Sequence, residues 1–353
     1  MKTMLITALL IGSAALVGGA LATAVSTATL LSNDPLQRAA LQAPRASHSV
    51  MLAVAAAGPR MVAAGERGIV LWSDDGTQSW QQAQVPVSVT LTAMSFPTPQ
   101  QGWAVGHGGS VLHTTDGGKT WLLQFDGREA AKAELKQAQA SGAAQRVALA
   151  EQLVGDGPDK PFLAVHFWNE QRGLVIGAFG LIFGTEDGGK TWASWTDRVD
   201  NPKGLHLNAV YADGDLVILA GEQGLLLRSV DGGRHFNPVE TPYKGSWFAV
   251  VGQDDQVVIG GLRGNVFWSA DRGRSFSASQ VASPVTLSSA LASRHGPWLF
   301  VNQAGQLMSS RDQGRSLQPV KRPPGPPLTA LAQGADGTVV AASFAGVMRL
   351  ALP

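Results

Sequence analysis

A short aspartate-centred phrase recurs along this chain at nearly constant spacing. HTTDGGKTW at His113–Trp121 reappears as GTEDGGKTW at Gly184–Trp192, and four looser copies occur elsewhere. The central aspartates of the six copies are Asp75, Asp116, Asp187, Asp231, Asp271 and Asp312. Successive aspartates are 41, 71, 44, 40 and 41 residues apart. The chain is therefore a set of units of about forty residues, with one long interruption.

A glycine-bounded turn precedes each phrase and supplies a second landmark, as in AGERG and VGHGG. The closing glycines are Gly68, Gly109, Gly180, Gly224, Gly264, Gly305 and, without a following aspartate phrase, Gly346. We refer to these as the GxxG turns, although Asn302 and Ser343 replace the first glycine in the last two. Counting them gives seven units.

Each unit contains four short apolar runs separated by turn residues, and no window sustains a helical apolar period through it. The 42 glycines and the low charged fraction of 15% also favour many short strands over helices. Four strands per forty residues are typical of a propeller blade. The predicted fold is therefore all-β: a seven-bladed β-propeller over residues 36–353 with one α-helical insertion. The seventh unit supplies three strands, and we expect Gln37–Pro44 to add the fourth.

The long interruption is explained by residues 127–155, which are rich in Ala, Glu, Gln, Lys and Leu. This composition predicts helices, with Gly142 as a break between two of them. The insertion falls between the second and third units.

The first 33 residues predict export from the cytoplasm. Lys2 precedes an uncharged apolar run that ends in small residues, which is typical of a signal peptide with a cleavage site. An uncleaved N-terminal membrane anchor is the alternative, because the run is about as long as a spanning helix requires.

Composition excludes several classes of function. A net charge of +1 gives no reason to expect nucleic acid as a partner. With no cysteine, thiol catalysis and cysteine-ligated metals are excluded, and the seven histidines show no metal-ligand spacing. We expect no catalytic residue, no bound metal and no cofactor.

The aspartate phrase has the chemistry of a hairpin loop. Its aspartate can accept hydrogen bonds from amides a few residues later, its glycine takes a positive φ, and its aromatic residue packs over the loop. The phrase resembles the Asp-box, or bacterial neuraminidase repeat. We therefore assign a structural role to the six aspartates and to Trp80, Trp121 and Trp192.

In a four-stranded antiparallel blade, the aspartate loops and the GxxG turns emerge on opposite faces. The middle residues of the GxxG turns vary from unit to unit, which is typical of binding loops on a rigid scaffold, although plain solvated turns are the alternative. Arginines there can hold a carboxylate or carbonyl, and aromatic residues can supply apolar anchors. The predicted partner-binding residues are Glu66, Arg67, His107, Phe179, Glu222, Arg263 and Phe344.

The Asp-box resemblance makes a sialidase the enzymatic alternative, and a polysaccharide-binding module a further one. A sialidase uses a tyrosine nucleophile, three arginines that bind a carboxylate and acidic partners. This chain has two tyrosines, Tyr211 and Tyr243, and lacks the Phe-Arg-Ile-Pro-like opening motif of that class. Glycosidase activity is therefore disfavoured.

The combination of AGERGIVLWSDDG and VGHGGSVLHTTDGGKTW with a signal sequence resembles the photosystem II stability and assembly factors over residues 45–353. The resemblance implies a non-catalytic propeller that docks on a membrane protein through an arginine-bearing face, on which Arg67 and Arg263 match. Relatives in heterotrophic bacteria are associated with transporters of the resistance–nodulation–division class, and the alanine-rich insertion looks more like that group. The expected partner is therefore a membrane protein complex.

Overall fold

The computed structural model describes residues 32–293 and 296–352. The predicted signal or anchor therefore lies, apart from Ser32 and Asn33, outside the described residues. Within the described part the chain is mainly β-strand, arranged in seven separate sheets. No helix in this part is both long and apolar enough to cross a membrane.

The strands of the first four sheets follow one another along the chain. They are β1 (Met51–Ala57), β2 (Arg60–Gly65), β3 (Val70–Ser73), β4 (Gln81–Gln82), β5 (Leu91–Ser95), β6 (Gly102–Gly106), β7 (Val111–Thr114), β8 (Leu122–Phe125), β9 (Phe162–Phe167), β10 (Gly173–Gly177), β11 (Ile182–Thr185), β12 (Ala193–Ser194), β13 (Leu207–Asp213), β14 (Leu216–Gly221), β15 (Leu226–Ser229) and β16 (Asn237–Pro238).

The remaining three sheets continue this order. Their strands are β17 (Trp247–Gln253), β18 (Gln256–Gly261), β19 (Val266–Ser269), β20 (Ser277–Ala278), β21 (Gln280–Val281), β22 (Leu287–Leu291), β23 (Trp298–Asn302), β24 (Leu307–Ser310), β25 (Ser316–Pro319), β26 (Leu328–Gln333), β27 (Val339–Ser343) and β28 (Gly346–Leu350).

Strands that are consecutive in the chain are hydrogen-bonded neighbours in six of the seven sheets, as in β1-β2-β3-β4 and β5-β6-β7-β8. The sixth sheet has a fifth strand, because β21 pairs in parallel with β25. The seventh sheet, β26-β27-β28, has three strands among the described residues. The first strand of each sheet contacts the first strand of the next, and β26 contacts β1. The sheets thus contact one another in a cyclic order.

The core lies between neighbouring sheets. The second strand of each sheet is a nearly continuous apolar run, and GWAVG in β6 and GLVIG in β10 are buried throughout. Such runs are expected where both faces of a sheet are covered. Between the second and third sheets, the Trp103 ring stacks on the Phe167 ring with centroids 3.6 Å apart.

The prediction that Gln37–Pro44 forms the fourth strand of the seventh sheet is wrong. This segment is not a strand, and it follows the outer side of the first sheet. The Ala40 amide donates to the Val85 carbonyl at 3.0 Å, and the Gln82 side-chain amide donates to the Leu41 carbonyl at 2.9 Å. The reason is apolar burial, since Ala40 packs into the core shared by the first and second sheets.

The insertion between β8 and β9 contains two helices, α1 (Gly127–Ser141) and α2 (Ala144–Asp156). Asp126 caps α1. Its carboxylate accepts hydrogen bonds from the Arg128 and Glu129 amides, and the Glu129 carboxylate accepts one from the Asp126 amide. Gly142 ends α1 in the left-handed conformation, with φ 69°.

Glu134 joins the insertion to the third sheet. This carboxylate is buried, and it accepts hydrogen bonds from the hydroxyls of Ser194 and Thr196. Arg146 of α2 donates to Glu134 at 2.9 Å and also pairs with Asp197. The two helices are therefore held to the sheet, and to each other, by one charged cluster in which Glu134 and Arg146 are mostly buried and Asp197 is half-exposed.

Replacing Glu134 by alanine is expected to destabilise the protein by about 2 kcal/mol, because two hydroxyls and a mostly buried guanidinium lose their shared acceptor. Hydrogen exchange should increase in α1 and α2 before it increases in the sheets. The control is Glu151→Ala on the exposed side of α2. Equal effects of the two changes in urea denaturation would contradict this assignment.

The aspartate loops connect the third and fourth strands, and Asp116 shows their geometry. Its Oδ1 accepts from the Thr114 hydroxyl at 2.8 Å and from the Lys119 and Thr120 amides at 2.9 and 3.0 Å. Its Oδ2 accepts from the Thr120 hydroxyl at 2.6 Å. The corresponding bonds recur around Asp75, Asp187, Asp231, Asp271 and Asp312. Both oxygens of each carboxylate are thus used within its own loop.

These hydrogen bonds stabilise the ionised aspartates. At Asp271, partial burial opposes ionisation, but hydrogen bonds from Ser275 and Ser269 outweigh it and lower the pKa to about 2. A folded-state pKa below the unfolded value stabilises the fold above the unfolded pKa of 3.8, and the stabilisation is lost as pH falls through the folded pKa. The loss at Asp271 therefore falls between about pH 4 and pH 2.

We expect Asp271→Asn to lower the free energy of unfolding at pH 7 by about 1–2 kcal/mol, because the hydrogen bonds to the charged carboxylate are weakened. The difference from the unmodified protein should shrink as pH is lowered from 4 to 2. Thermal unfolding followed across this range measures it, with exposed Asp213→Asn as the control. A difference that does not depend on pH would contradict the assignment.

Candidate docking surface

The GxxG turns connect the second and third strands of each sheet, at the opposite end from the aspartate loops. In the first turn, the Gly65 amide donates to the Ile69 carbonyl at 3.0 Å, and the Ile69 amide donates to the Glu66 carbonyl at 3.0 Å. Five turns form a single turn of 3-10 helix in this way: Glu66–Gly68, His107–Gly109, Ala178–Gly180, Glu222–Gly224 and Leu262–Gly264. We call the surface formed by all seven GxxG turns the turn face.

In these five turns, the residue just before the closing glycine, which is the third of the four GxxG positions, has a left-handed backbone. Gly108 occupies it at φ 71°, but Arg67, Phe179, Gln223 and Arg263 hold φ values of 55°, 56°, 53° and 56°. This conformation is unfavourable for bulky side chains by about 1–3 kcal/mol. All four large side chains at this position are exposed, so burial does not account for them. Such strain is typical of functional sites.

Five of the seven predicted partner-binding residues are exposed, and the other two, Glu66 and Glu222, are partly buried. Arg67, His107 and Arg263 are exposed on the turn face, as is Phe344, whose side chain is 54% exposed. Phe179 is 59% exposed.

The two predicted acidic residues are partly used within the fold. The Glu66 carboxylate accepts from the Val50 amide at 3.1 Å, and the Glu222 carboxylate accepts from the His206 amide at 2.9 Å. Each carboxylate therefore holds the connector that enters its own sheet. Sequence reasoning missed this role, because the amide that each one binds lies 16 residues earlier in the chain.

Phe179 lies at the centre of a cluster that the sequence did not indicate. Its ring is 5.0 Å from the His206 ring, and the Lys160 ammonium lies 5.3 Å from its centroid. The Phe179 amide donates to His206 Nδ1 at 3.2 Å, and that nitrogen lies 3.2 Å from the Glu222 carboxylate. Lys160, Phe179, His206 and Glu222, which we call the Phe179 cluster, thus combine an exposed ring with groups of both charges.

The connectors beside the Phe179 cluster depart from the repeat. Four connectors from one sheet to the next have eight residues: 83–90, 239–246, 279–286 and 320–327. By contrast, residues 126–161, which include Lys160, number 36, and residues 195–206, which include His206, number 12. Asp197 of the second accepts a hydrogen bond from Gln137 of the first at 2.9 Å. Both non-repeating connectors therefore meet around one turn.

A groove of about 290 Å³ lies on the other side of residues 200–205. Leu205, Leu225 and Val239 contribute its apolar lining, and Lys203 and Lys244 lie along it. Its wall belongs to the connector 195–206, which also carries His206, so the groove and the Phe179 cluster share one element of structure. Together they form the most irregular sector of the turn face.

The two tyrosines considered for glycosidase chemistry occupy structural environments. Burial, followed by the nearby charges of Asp213 and Asp254, raises the pKa of Tyr211 to about 12, which disfavours the phenolate. The Tyr243 hydroxyl donates to the Leu262 carbonyl at 3.3 Å, and its ring packs on Trp247. In the described part of the chain, no group of three or more His, Cys, Asp or Glu side chains is placed to hold a metal ion.

Comparison with known proteins relates the chain to one group. The family model for the photosynthesis system II assembly factor YCF48 matches residues 73–148 and 143–315. The photosystem II assembly lipoprotein Ycf48 of Picosynechococcus sp. is 30% identical over 122 residues, which cover 33% of this chain and 28% of that protein. The photosystem II assembly protein Ycf48 of a Synechococcus sp. is 30% identical over 149 residues, or 36% of this chain and 43% of that protein. The chain thus matches less than half the length of these two relatives.

Solved structures identify the fold as a propeller. The structure of YCF48 bound to D1 peptide has a TM-score of 0.64 at 16% identity and covers 90% of this chain and 97% of that one. The WD40 β-propeller domain of Doa1 has a TM-score of 0.61 at 9% identity and covers 86% of this chain and 92% of that one. Because the family model covers more than half of the sequence, this chain belongs to the family of the photosynthesis system II assembly factor YCF48.

Proposed function

We propose that this protein is a seven-bladed propeller that docks on a membrane protein complex through its turn face and acts there as a non-catalytic assembly or stability factor. The cyclic contacts of the seven sheets, which return from β26 to β1, support the closed ring. Membership of an assembly-factor family supports the function. The similar YCF48 structure holds a D1 peptide, and we infer a peptide segment of a membrane protein as the partner here.

The observation that carries this proposal is the exposed Phe179 side chain on a strained backbone, between two connectors that exceed the repeat. A solvated turn would be more stable with glycine at this position, as in the neighbouring turn with Gly108. Retention of a large ring therefore favours contact with a partner. Connectors that the repeat does not require are also where binding residues concentrate.

We assign roles to the site residues on this basis. Phe179 and Phe344 are apolar anchors, and Arg67 and Arg263 hold carboxylates or carbonyls of the partner. His107 contributes to the same surface, while Glu66 and Glu222 position the connectors behind it. The six aspartates and their aromatic residues, including Trp80, Trp121 and Trp192, are structural.

We further propose that the protein is exported. The uncharged apolar run before Asn33 has the composition of a signal peptide or membrane anchor. The name lipoprotein, given to the Picosynechococcus relative, is consistent with an extracytoplasmic location. A transporter of the resistance–nodulation–division class is the specific complex that we propose to test.

Co-purification from solubilised membranes tests the docking. An Arg67→Glu, Arg263→Glu double variant is expected to lose at least nine-tenths of the membrane protein that co-purifies with the unmodified chain, because both changes reverse charge on the turn face. The control is Arg274→Glu, an exposed residue of an aspartate loop on the opposite face. Retention of polysaccharide with no protein partner would reject docking in favour of sugar binding.

Replacing Phe179 by glycine separates binding from stability. The change removes contacts of the ring with Lys160 and His206, but it also relieves the left-handed strain. We therefore expect the free energy of unfolding to stay within about 1 kcal/mol of the unmodified value while partner capture is lost.

Gln223→Gly is the matched control, since Gln223 holds the same conformation in the next turn. It is expected to keep the partner. If Phe179→Gly retains full capture in the same assay, Phe179 is not an anchor.

A further inference from the structure

The seventh sheet differs from the others in the described part of the chain. Its strands are β26, β27 and β28, whereas each of the other six sheets has at least one further strand beyond the third. Among the residues that the structure describes, the outer side of β28 is therefore a sheet edge. An exposed edge presents backbone donors and acceptors to which another strand can pair.

Five of the other sheets show which backbone group of the third strand bonds to the chain beyond the fourth strand. The residue of the third strand nearest the GxxG turn accepts a hydrogen bond from the chain segment just after the fourth strand. The acceptors are Val70, Ile182, Leu226, Val266 and Leu307, at 2.8, 3.0, 2.8, 2.9 and 2.8 Å.

Val347 is the equivalent residue of β28, because it pairs with Ala342 as Val70 pairs with Ala64. Within the described residues, no hydrogen bond reaches the Val347 carbonyl from outside its own sheet. Since backbone groups alternate in direction along an antiparallel ladder, Val347 and Arg349 both face the open side.

Comparison with other repeats also indicates which connector residue faces the open side of β28. In two other places, the residue nine positions after an aspartate hydrogen-bonds to a residue shortly before the outer strand of the next sheet. The Gln84 amide donates to the Lys119 carbonyl at 2.9 Å, and the Gln280 amide donates to the Arg315 carbonyl at 2.9 Å.

Lys321 holds the same position after Asp312, and the connector that contains it leads into the seventh sheet. A strand placed beside β28 would therefore have backbone partners on both sides. We call the space between β28 and Lys321 the edge slot. The connector itself continues as PPGPP, and prolines have no amide hydrogen with which to pair.

The chemistry of the edge slot is apolar with a basic rim. Val320 and Met348 are partly buried against the core of the sixth and seventh sheets. Lys321 and Arg349 are exposed, and an Arg322 nitrogen lies 3.5 Å from the Met348 sulfur. A strand that alternates apolar and acidic side chains would cover the apolar part and neutralise the rim.

The described N-terminal residues, from Ser32 onward, do not fill the edge slot. Residues 46–48 lie beside Gly346, but the chain before them runs along the first sheet and reaches α1, where Asp34 pairs with Arg128 at 2.6 Å. Residues 3–31 carry no acidic group. A second copy would bring its own Arg349 to a rim that already carries Lys321 and Arg349, and like charges oppose such pairing.

We propose that the edge slot binds an extended acidic segment of a partner protein, which adds to β28 as a fourth strand. The proposal is independent of docking on the turn face, because it rests on the backbone edge of a different element. The alternative is that Arg349 and the prolines only protect the edge from aggregation, in which case no strand would pair with β28.

Fluorescence anisotropy with labelled synthetic peptides tests this. The full-length chain, in mild detergent, is expected to bind the peptide EVEVEVE saturably, with affinity that falls as salt is raised. The peptides KVKVKVK and EVEPEVE should bind at least tenfold more weakly, because the first reverses the charge and the second removes a backbone donor.

Two variants locate the binding. Arg349→Glu reverses the charge of the rim, and Val347→Pro removes an outward amide without touching the ladder to β27. Each is expected to weaken EVEVEVE binding at least tenfold, whereas Arg274→Glu should bind as the unmodified chain does.

Three results would overturn the proposal. One is the absence of saturable binding to the unmodified chain, and another is equal binding by Arg349→Glu and Arg274→Glu. The third is a dimer of the unmodified chain that Val347→Pro dissociates, because a second copy would then occupy the edge slot. Loss of turn-face capture in the membrane assay leaves this proposal intact, so the two fail separately.

Discussion

The hydrogen bonds around each loop aspartate are the interaction on which the rest of the fold depends. They close the hairpin between the third and fourth strands, and they leave the loop carbonyls facing the neighbouring sheet. Arg60 of the first sheet donates to the Asp116 carbonyl at 2.8 Å, and Gln124 of the second donates to the Gly188 carbonyl at 2.9 Å. One loop therefore fixes its own sheet and joins it to the sheet before it.

This use of the aspartates determines where function can lie. Carboxylates that are saturated within their own loops, with pKa values held below the ordinary range, are poor acids and poor ligands. In the GxxG turns, the Glu66 and Glu222 carboxylates bind connectors, but in the described part of the chain the third positions of the five 3-10 turns contribute no side-chain hydrogen bond. Their side chains are free to vary, and four of them keep a conformation that costs stability. The proposed docking surface therefore lies where side chains are exposed and are not needed to hold the fold.

The sequence predicts what is local and repeated. The period, the strands, the break at Gly142 and the exposure of Arg67 follow from turn chemistry and spacing. The path of Gln37–Pro44 does not, because a short segment whose buried apolar residue is Ala40 fits more than one sheet edge until the core is assembled. Lys160 and His206 were also missed. They come to Phe179 from connectors on either side, and no local pattern records that convergence.

The two proposed contacts select partners by different physics. On the turn face, side chains such as Phe179 and Arg67 would recognise the chemistry of particular residues, so specificity there is steep. At the edge slot, the backbone of β28 would supply most of the attraction, and a strand of many sequences can satisfy it. Charge on Arg349 and Lys321 then narrows the choice to acidic strands. A repeat fold can offer both kinds of surface because its sheets are alike, except that one of them has only three strands within the described residues.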